Sequence, residues 1–315
     1  MAFPPALAIP EDVLEIPRTL AAAGYEVWCV GGAIRDALLS PAEADESLRV
    51  AVDFATSATP EQVQAVFGRK RTVAVGLKYG TVGVLDRRRV LHEVTTFRRD
   101  VATDGRHAVV AYGASLEEDL ARRDFTINAI AYHPLRHDWR DPFGGAHDLE
   151  RGVVRAVGDP AARFREDYLR ILRALRFAAR FGFAIDPPTW DAARAAAGGL
   201  AQLSAERVHD EWYKGLRTAR SVGHLVALWR DVGATQAWLP ELGADTPRTA
   251  ELDRTPRDPV LLVILLCSSP AAVLRRLRAK NAEIARAEAV TRAPESPADA
   301  TPAGVRRWLA ACGPA

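Results

Sequence analysis

At 315 residues the chain is long enough for about two domains and a sizeable core. Hydrophobic residues at 48% and charged residues at 26% are an ordinary globular balance. The formal charge of +2 gives no basic surface overall, so any nucleic-acid surface must come from local clustering. Such clustering exists between Arg151 and Arg180, with eight arginines against three acids. The N-terminal stretch lacks the basic start of a signal peptide. The apolar run PVLLVILLC, 259–267, is far short of a membrane span and reads as a buried helix. Cys29, Cys267 and Cys312 are widely spaced, which suits isolated reduced thiols in a cytoplasmic protein.

In chain order, a helix is expected over Glu11–Ala23, ended by Gly24, then a buried strand over Tyr25–Val30 and a short helix over Ala33–Leu39. Ser40–Arg49 reads as an acidic loop and Val50–Ala55 as a second strand. Pro60–Phe67 reads as a helix capped by Thr59. Arg71–Val75, Thr81–Leu85 and Val90–Thr95 read as a strand meander, and Arg98–Ala114 as a long loop. The pattern from Ser115 to His133 reads as helical, with Ser115 and Glu118 at capping-box spacing. A short extended connection is expected to follow, then one helix from Asp159 through Phe181, stopped by Gly182. Beyond Pro188 the pattern is helical without strands. The expectation is a mixed α/β head over residues 1–140 and an all-helical remainder.

Chemistry concentrates at four places. Gly31-Gly32 between a strand and a helix makes a phosphate seat, because unpaired N–H groups and the helix dipole face an anion. Arg35 and Asp36 lie in that helix's first turn. Taken alone, this stretch is explained better by turn glycines and a helix salt bridge. Asp53 and Glu93 are carboxylates inside short apolar strands, which is costly unless they are paired or metal-bound. With the phosphate seat they point to Mg²⁺ shared with substrate phosphates and to two-metal phosphoryl transfer. A metal site on the Asp53 strand would also use position 51, which is Ala51.

Arg122, Arg123, Asp124 and Asn128 suit sugar and phosphate recognition, Asp124 and Asn128 sharing a helix face if the segment is helical; a solvated charged face is the other reading. Asp167, Arg170, Arg173 and Arg176 follow one another at three-residue spacing, an acid and then three guanidiniums. An arginine ladder of one sign repels itself unless it faces an anion. A carboxylate accepting from an amino group beside an Arg donating to a ring nitrogen would read cytosine and adenine and reject uracil and guanine. His147-Asp148 and His209-Asp210 read as structural.

The stretches VGGAIRDALL, DFATSATPEQV, VGLKYGTVGV, EVTTFR, SLEEDLARRDFTINAIAY and DPFGGAHDLERGVVRAVGDPAARFREDYLRILRALRFAARFGFAI closely resemble the bacterial-type (class II) tRNA nucleotidyltransferase/poly(A) polymerase family, over about Tyr25 to Leu216. The resemblance implies an α/β nucleotidyltransferase head of the DNA polymerase β superfamily, followed by an all-α neck (141–220) and body and tail (221–315) that hold tRNA. It implies Mg²⁺-dependent addition of C and A to the tRNA 3′ end from CTP and ATP. CCA addition is favoured over A-only or CC-only addition, partly because the Arg98–Ala114 loop with its Asp104-Gly105-Arg106 signature is retained. Gly32 and Arg35 would contact nucleotide phosphates, Arg123 and Asp124 the sugar, and Asp167 and Arg170 the base, with Arg173 and Arg176 near the nucleotide. Asp53 and Glu93 match acidic positions of the metal site. The family's first metal-binding aspartate falls at Ala51, so a tRNA- and nucleotide-binding protein with little catalysis is the competing expectation. The chain also ends early for the family.

Overall fold

The computed structural model describes residues 2–40, 48, 52–103, 108–242, 252–293, 301–304 and 306; for 100–103 and 108–110 only the backbone is described. Ala51, the acidic insert with Glu43, Asp45 and Glu46, the Asp104-Gly105-Arg106 signature and Cys312 lie outside the described residues. Two compact units emerge, one of residues 1–167 and 184–190, the other of 168–183 and 191–315. Residue 140 falls inside the first unit and residue 220 inside the second.

The first unit is built on a seven-stranded sheet in the order β3-β4-β5-β2-β1-β8-β9. Its strands are β1 (Val27–Val30), β2 (Asp53–Thr56), β3 (Thr72–Gly76), β4 (Thr81–Leu85), β5 (Leu91–Thr96), β8 (Ala131–His133) and β9 (Asp138–Arg140). β2 and β5 run parallel and the other neighbours antiparallel, so the sheet is mixed. Around β1 both faces are buried: Trp28, Val30, Ala55, Phe97, Leu116, Leu120, Ala131 and Val157 form a core cluster that includes one face, and Val27, Cys29, Phe54 and Val94 are buried on the other. Helix α1 (Glu11–Ala22) buries Val13, Ile16 and Leu20. Helix α2 (Gly32–Leu39) follows β1 directly, and α3 (Pro60–Phe67) starts at a capping box between Thr59 and Gln62.

Three expectations fail here. The segment expected as a loop at Arg98–Ala114 is a hairpin, β6 (Arg98–Thr103) with β7 (Ala108–Tyr112), paired antiparallel as a separate sheet. Its strands, RRDVAT and AVVAY, do not alternate polar with apolar residues, so the sequence pattern conceals the pairing. The helix expected over Ser115–His133 is only α4 (Leu116–Ala121), started by the Ser115–Glu118 capping box. It stops because Phe125 bridges Ala156, with the Thr126 N–H donating to the Arg155 carbonyl at 2.9 Å and the Val157 N–H to the Asp124 carbonyl at 3.2 Å, and Ala131–His133 joins the sheet beside β1. The apolar run AIAY cannot be assigned by periodicity alone. Third, the connection after Asp141 holds a helix, α5 (Gly145–Arg151), whose first N–H groups, Gly145 and Ala146, donate to the Asp141 carboxylate at 2.7 and 2.9 Å. Gly145 is needed there, since a Cβ would come within 2.2 Å of the Thr126 carbonyl oxygen.

The expected single helix over 159–181 is two. Helix α6 (Pro160–Glu166), capped by Asp159, ends at Asp167, which is extended at φ −159°, ψ 105°. Helix α7 (Leu169–Phe181) begins the second unit. The break follows from anchoring: Tyr168 lies against Gly199, where a Cβ would meet its ring at 2.1 Å, so Tyr168 is committed to the second unit. Helix α8 (Pro187–Ala195) follows, and each described segment beyond it is helical or a connection, with an isolated bridge between Leu242 and Cys267. Helices α9 (Ala205–Thr218) and α10 (Val222–Asp231) pack through Trp212 and Trp229, whose rings meet edge to face at 4.7 Å. The apolar run forms the helix Pro259–Leu266, with five residues buried and Leu265 exposed. Among the described residues no helix is long and apolar enough to cross a membrane. Cys29 and Cys267 are buried free thiols.

Candidate active site

The turn from β1 into α2 is shaped by Gly31, which sits at φ +79°, ψ −144°, a conformation open to glycine and strained for other residues. A Cβ there would lie 3.2 Å from Asp53 Oδ2 and 3.6 Å from Arg123 Nη1. Gly31 therefore lets a carboxylate from β2 and a guanidinium from beyond α4 crowd the start of α2. The first N–H groups of α2 have no acceptor within the helix.

Phe54 pairs with Val94 in the parallel β2–β5 ladder, which sets Asp53 and Glu93 level on adjacent strands. Both side chains are exposed, on the face that Val30 and Ala55 share and at a place where that face is open, while Phe54, His92 and Val94 on the other face are buried. Crowding by surrounding protein pushes the Asp53 carboxyl up to about 6; Glu93 adds to the rise and Arg123 opposes it. The two carboxylates thus sense one another. Glu93→Gln is expected to lower the Asp53 pKa and Arg123→Ala to raise it, measured by carboxyl-carbon NMR titration. A value that moves with neither change would mean the groups are not coupled.

Arg35, expected to face the nucleotide, is 3% exposed. Its Nε donates to Asp36 Oδ1 at 2.8 Å and its Nη1 to Asn128 Oδ1 at 2.6 Å. Asn128 in turn donates through Nδ2 to Asp124 Oδ1 at 2.9 Å, the oxygen that also accepts the Phe125 N–H. Asp124 and Asn128 do meet, but across a short 3-10 turn (Thr126–Asn128) and not along a helix face. Asn128, 6% exposed with its amide used at both ends, links the phosphate-seat helix to the Arg123-Asp124 segment.

Two partners went unread in the sequence. Asp119, fully buried, accepts from Arg122 Nη2 at 2.7 Å and from Arg123 Nη2 at 3.2 Å. Burial opposes its ionisation, yet Arg123 and Arg122 hold its carboxyl below the usual range. The signal was its i,i+3 and i,i+4 spacing to the arginines. In the second unit, Glu211 on α9 is the internal anion of the arginine ladder: its carboxylate meets Arg176 Nε at 2.5 Å and Arg173 Nη1 at 3.6 Å. An acid amid the buried Val208, Trp212 and Tyr213 was the available sign. Arg173 and Arg176 therefore do not depend on an external anion. Asp167 closes the first unit and Arg170 stands on α7 in the second, so they do not share one helix as expected.

For a divalent cation, the described residues offer the oxygen donors of Asp53 and Glu93. No cluster of three or more His, Cys, Asp or Glu side chains occurs among the described residues. Two carboxylates repelling one another on an open face fit a hard cation whose other ligands are water and substrate oxygens.

Residues 27–155 match the family model of the poly A polymerase head domain, and residues 182–245 match one described as "Probable RNA and SrmB- binding site of polymerase A". A CCA-adding enzyme of Leuconostoc mesenteroides is 44% identical over 224 residues, 70% of this chain and 53% of that protein. One of Anoxybacillus flavithermus is 41% identical over 233 residues, covering 73% and 56%. The chain thus spans about half the length of these curated relatives. A Bacillus stearothermophilus CCA-adding enzyme solved in complex with CTP superposes with a TM-score of 0.76 at 35% identity, over 92% of this chain and 70% of that one.

Proposed function

The chain belongs to the poly A polymerase head-domain family, with CCA-adding enzymes among its relatives, and on that premise we propose that it is a tRNA nucleotidyltransferase. It adds C and A to the 3′ end of tRNA from CTP and ATP, with Mg²⁺ and without a nucleic-acid template, in the cytoplasm. The observation that carries this reading is the level pair Asp53 and Glu93 on the open sheet face, beside Gly31 and Arg123. A relative holding CTP supports the choice of substrate.

Asp53 and Glu93 would hold the cation, which when bound neutralises phosphate charge and favours ionisation of the attacking hydroxyl. The α2 N-terminus offers N–H donors to the triphosphate. Arg123 adds positive charge at that place, and Arg35, spent on Asp36 and Asn128, positions it. Asp167 and Arg170 are the proposed base readers, and Arg173 and Arg176 brace the same helix through Glu211. The head at residues 1–140 is the catalytic part, with residues 141–220 as neck and 221–315 as the tRNA-holding body and tail.

The experiment supplies Mg²⁺, labelled CTP or ATP, and tRNAs lacking the last three, two or one nucleotides of CCA. Incorporation into all three supports CCA addition, and incorporation into one class identifies a specialist. The second reading, a nucleotide- and tRNA-binding protein with little turnover, rests on Ala51. Binding of CTP and tRNA with no incorporation would establish it and overturn the enzyme.

A further inference from the structure

Inside the strand that pairs with β2 lies a histidine that the site chemistry does not use. β5 alternates between its faces: Leu91 and Glu93 are exposed on one, and His92 is on the other with no exposed surface, beside the buried Phe54 and Val94. An imidazole is tolerated there only where its nitrogens find partners. His92 Nδ1 lies 3.1 Å from the Val52 amide nitrogen, and Nε2 lies 3.5 Å from Asp86 Oδ2. Nδ1 also lies 3.3 Å from the Val52 carbonyl oxygen, a contact that only an Nδ1–H could use; the shorter amide contact and the carboxylate facing Nε2 favour the tautomer in which Nδ1 accepts from Val52 and Nε2 carries the proton toward Asp86. Asp86, 4% exposed, is itself fixed at the β4–β5 turn, accepting the Val90 N–H at 2.8 Å.

Val52 is the residue before β2. The β2–β5 ladder starts at Phe54, and Asp53 pairs with Val30 on the other side. Val52 is fully buried and has no strand partner in these ladders, so the imidazole takes the place of the missing ladder contact. Side chains alternate along a strand, so holding Val52 inward holds Asp53 outward, and a slip of one residue would turn Asp53 into the core.

We propose that His92, oriented by Asp86, is a positioning residue that clamps the Val52 amide and thereby fixes Asp53 on the open face beside Glu93. Its role in turnover rests on the nucleotidyltransferase reading; its role in placing Asp53 does not. His92→Phe keeps the ring volume and removes the acceptor, and His92→Asn restores an acceptor near the Nδ1 position. Nitrogen-detected NMR of the wild-type ring should report the Nε2–H tautomer. Amide hydrogen exchange at Val52 should accelerate at least about 10-fold in His92→Phe and recover in His92→Asn, against an unchanged distant probe such as Trp212. Incorporation kcat should fall roughly 10- to 100-fold in His92→Phe with little change in KM, as for loss of a group that orients a metal ligand. An Nδ1–H tautomer, or a Val52 amide equally protected in His92→Phe, overturns the clamp. A wild type without incorporation overturns the enzyme reading alone, since tautomer and exchange still decide the clamp.

Discussion

Ala51→Asp raises nucleotide incorporation by at least about 100-fold, because loss of even an outer hydrogen-bond partner of a metal ligand costs roughly 10- to 100-fold. Position 51 is two residues before Asp53, the spacing that puts side chains on one strand face. The described donors at that face are two carboxylates, and a third would complete an oxygen-rich cation site. The same substitution carries a cost that can be signed. Asp53 already titrates near 6, above its ordinary 3.8, so the fold favours its neutral form. The stability it contributes is full at low pH and is lost as pH rises through about 6. A further negative charge beside it extends that loss. Without metal, Ala51→Asp should therefore unfold at a lower temperature at neutral pH than the parent, and added Mg²⁺ should reverse the order by mass action. Thermal unfolding with and without Mg²⁺, beside the incorporation assay, reads both effects. Unchanged incorporation would mean that another group already supplies the oxygen.

Asp119→Ala destabilises the first unit by about 3 kcal/mol, the lower end for removing one partner of a buried ion pair, since both arginines retain some contact with water. It leaves Arg122 and Arg123 repelling each other at the edge of the site, with Arg123 Nε already buried and lacking a hydrogen-bond partner. CTP affinity should weaken along with the urea midpoint, and Asp119→Glu should restore part of each. The pH dependence runs opposite to that of Asp53. The Asp119 carboxyl is held below its usual range, so its stabilisation is full above the unfolded value of about 4 and lost as pH falls through the folded one. The difference in stability between parent and Asp119→Ala should therefore shrink in acid. A difference constant from neutral to acid pH would mean that the ion pairs contribute nothing.

Much of the head was legible because its elements are local. Thr59 before Pro60, Ser115 three residues before Glu118, and the alternation through β4 and β5 each name their structure from neighbours a few residues away. Asp53 and Glu93 could be read as a pair for the same reason: each is an acid out of place in an apolar alternation. What escaped depends on distant partners. Phe125 leaves the helical pattern for Ala156, and Tyr168 breaks a helix to lie on Gly199; neither contact has a trace within a short window. The arginine ladder showed why an anion was needed and not where it was, and Glu211, some 35 residues beyond Arg176, supplied it. His92 went unread because a histidine on a buried strand face has no meaning until Val52 and Asp86 are beside it.

The first unit is not continuous in sequence, and this bears on the order in which the protein can be made. Ala184–Trp190 returns to it after the Tyr168–Phe183 excursion. The returning segment pairs Ala184-Ile185 alongside Val153-Val154, salt-bridges Asp186 to Arg155 at 2.6 Å and offers the buried Thr189 hydroxyl to the Ala156 amide at 3.1 Å. During vectorial synthesis these bonds cannot close until residue 190 has left the ribosome. A nascent chain stalled near residue 167 carries an open strand edge at Val153-Val154, ready to pair wrongly. An excised head has to run through residue 190, with the excursion kept or bridged by a linker, to bury the same groups.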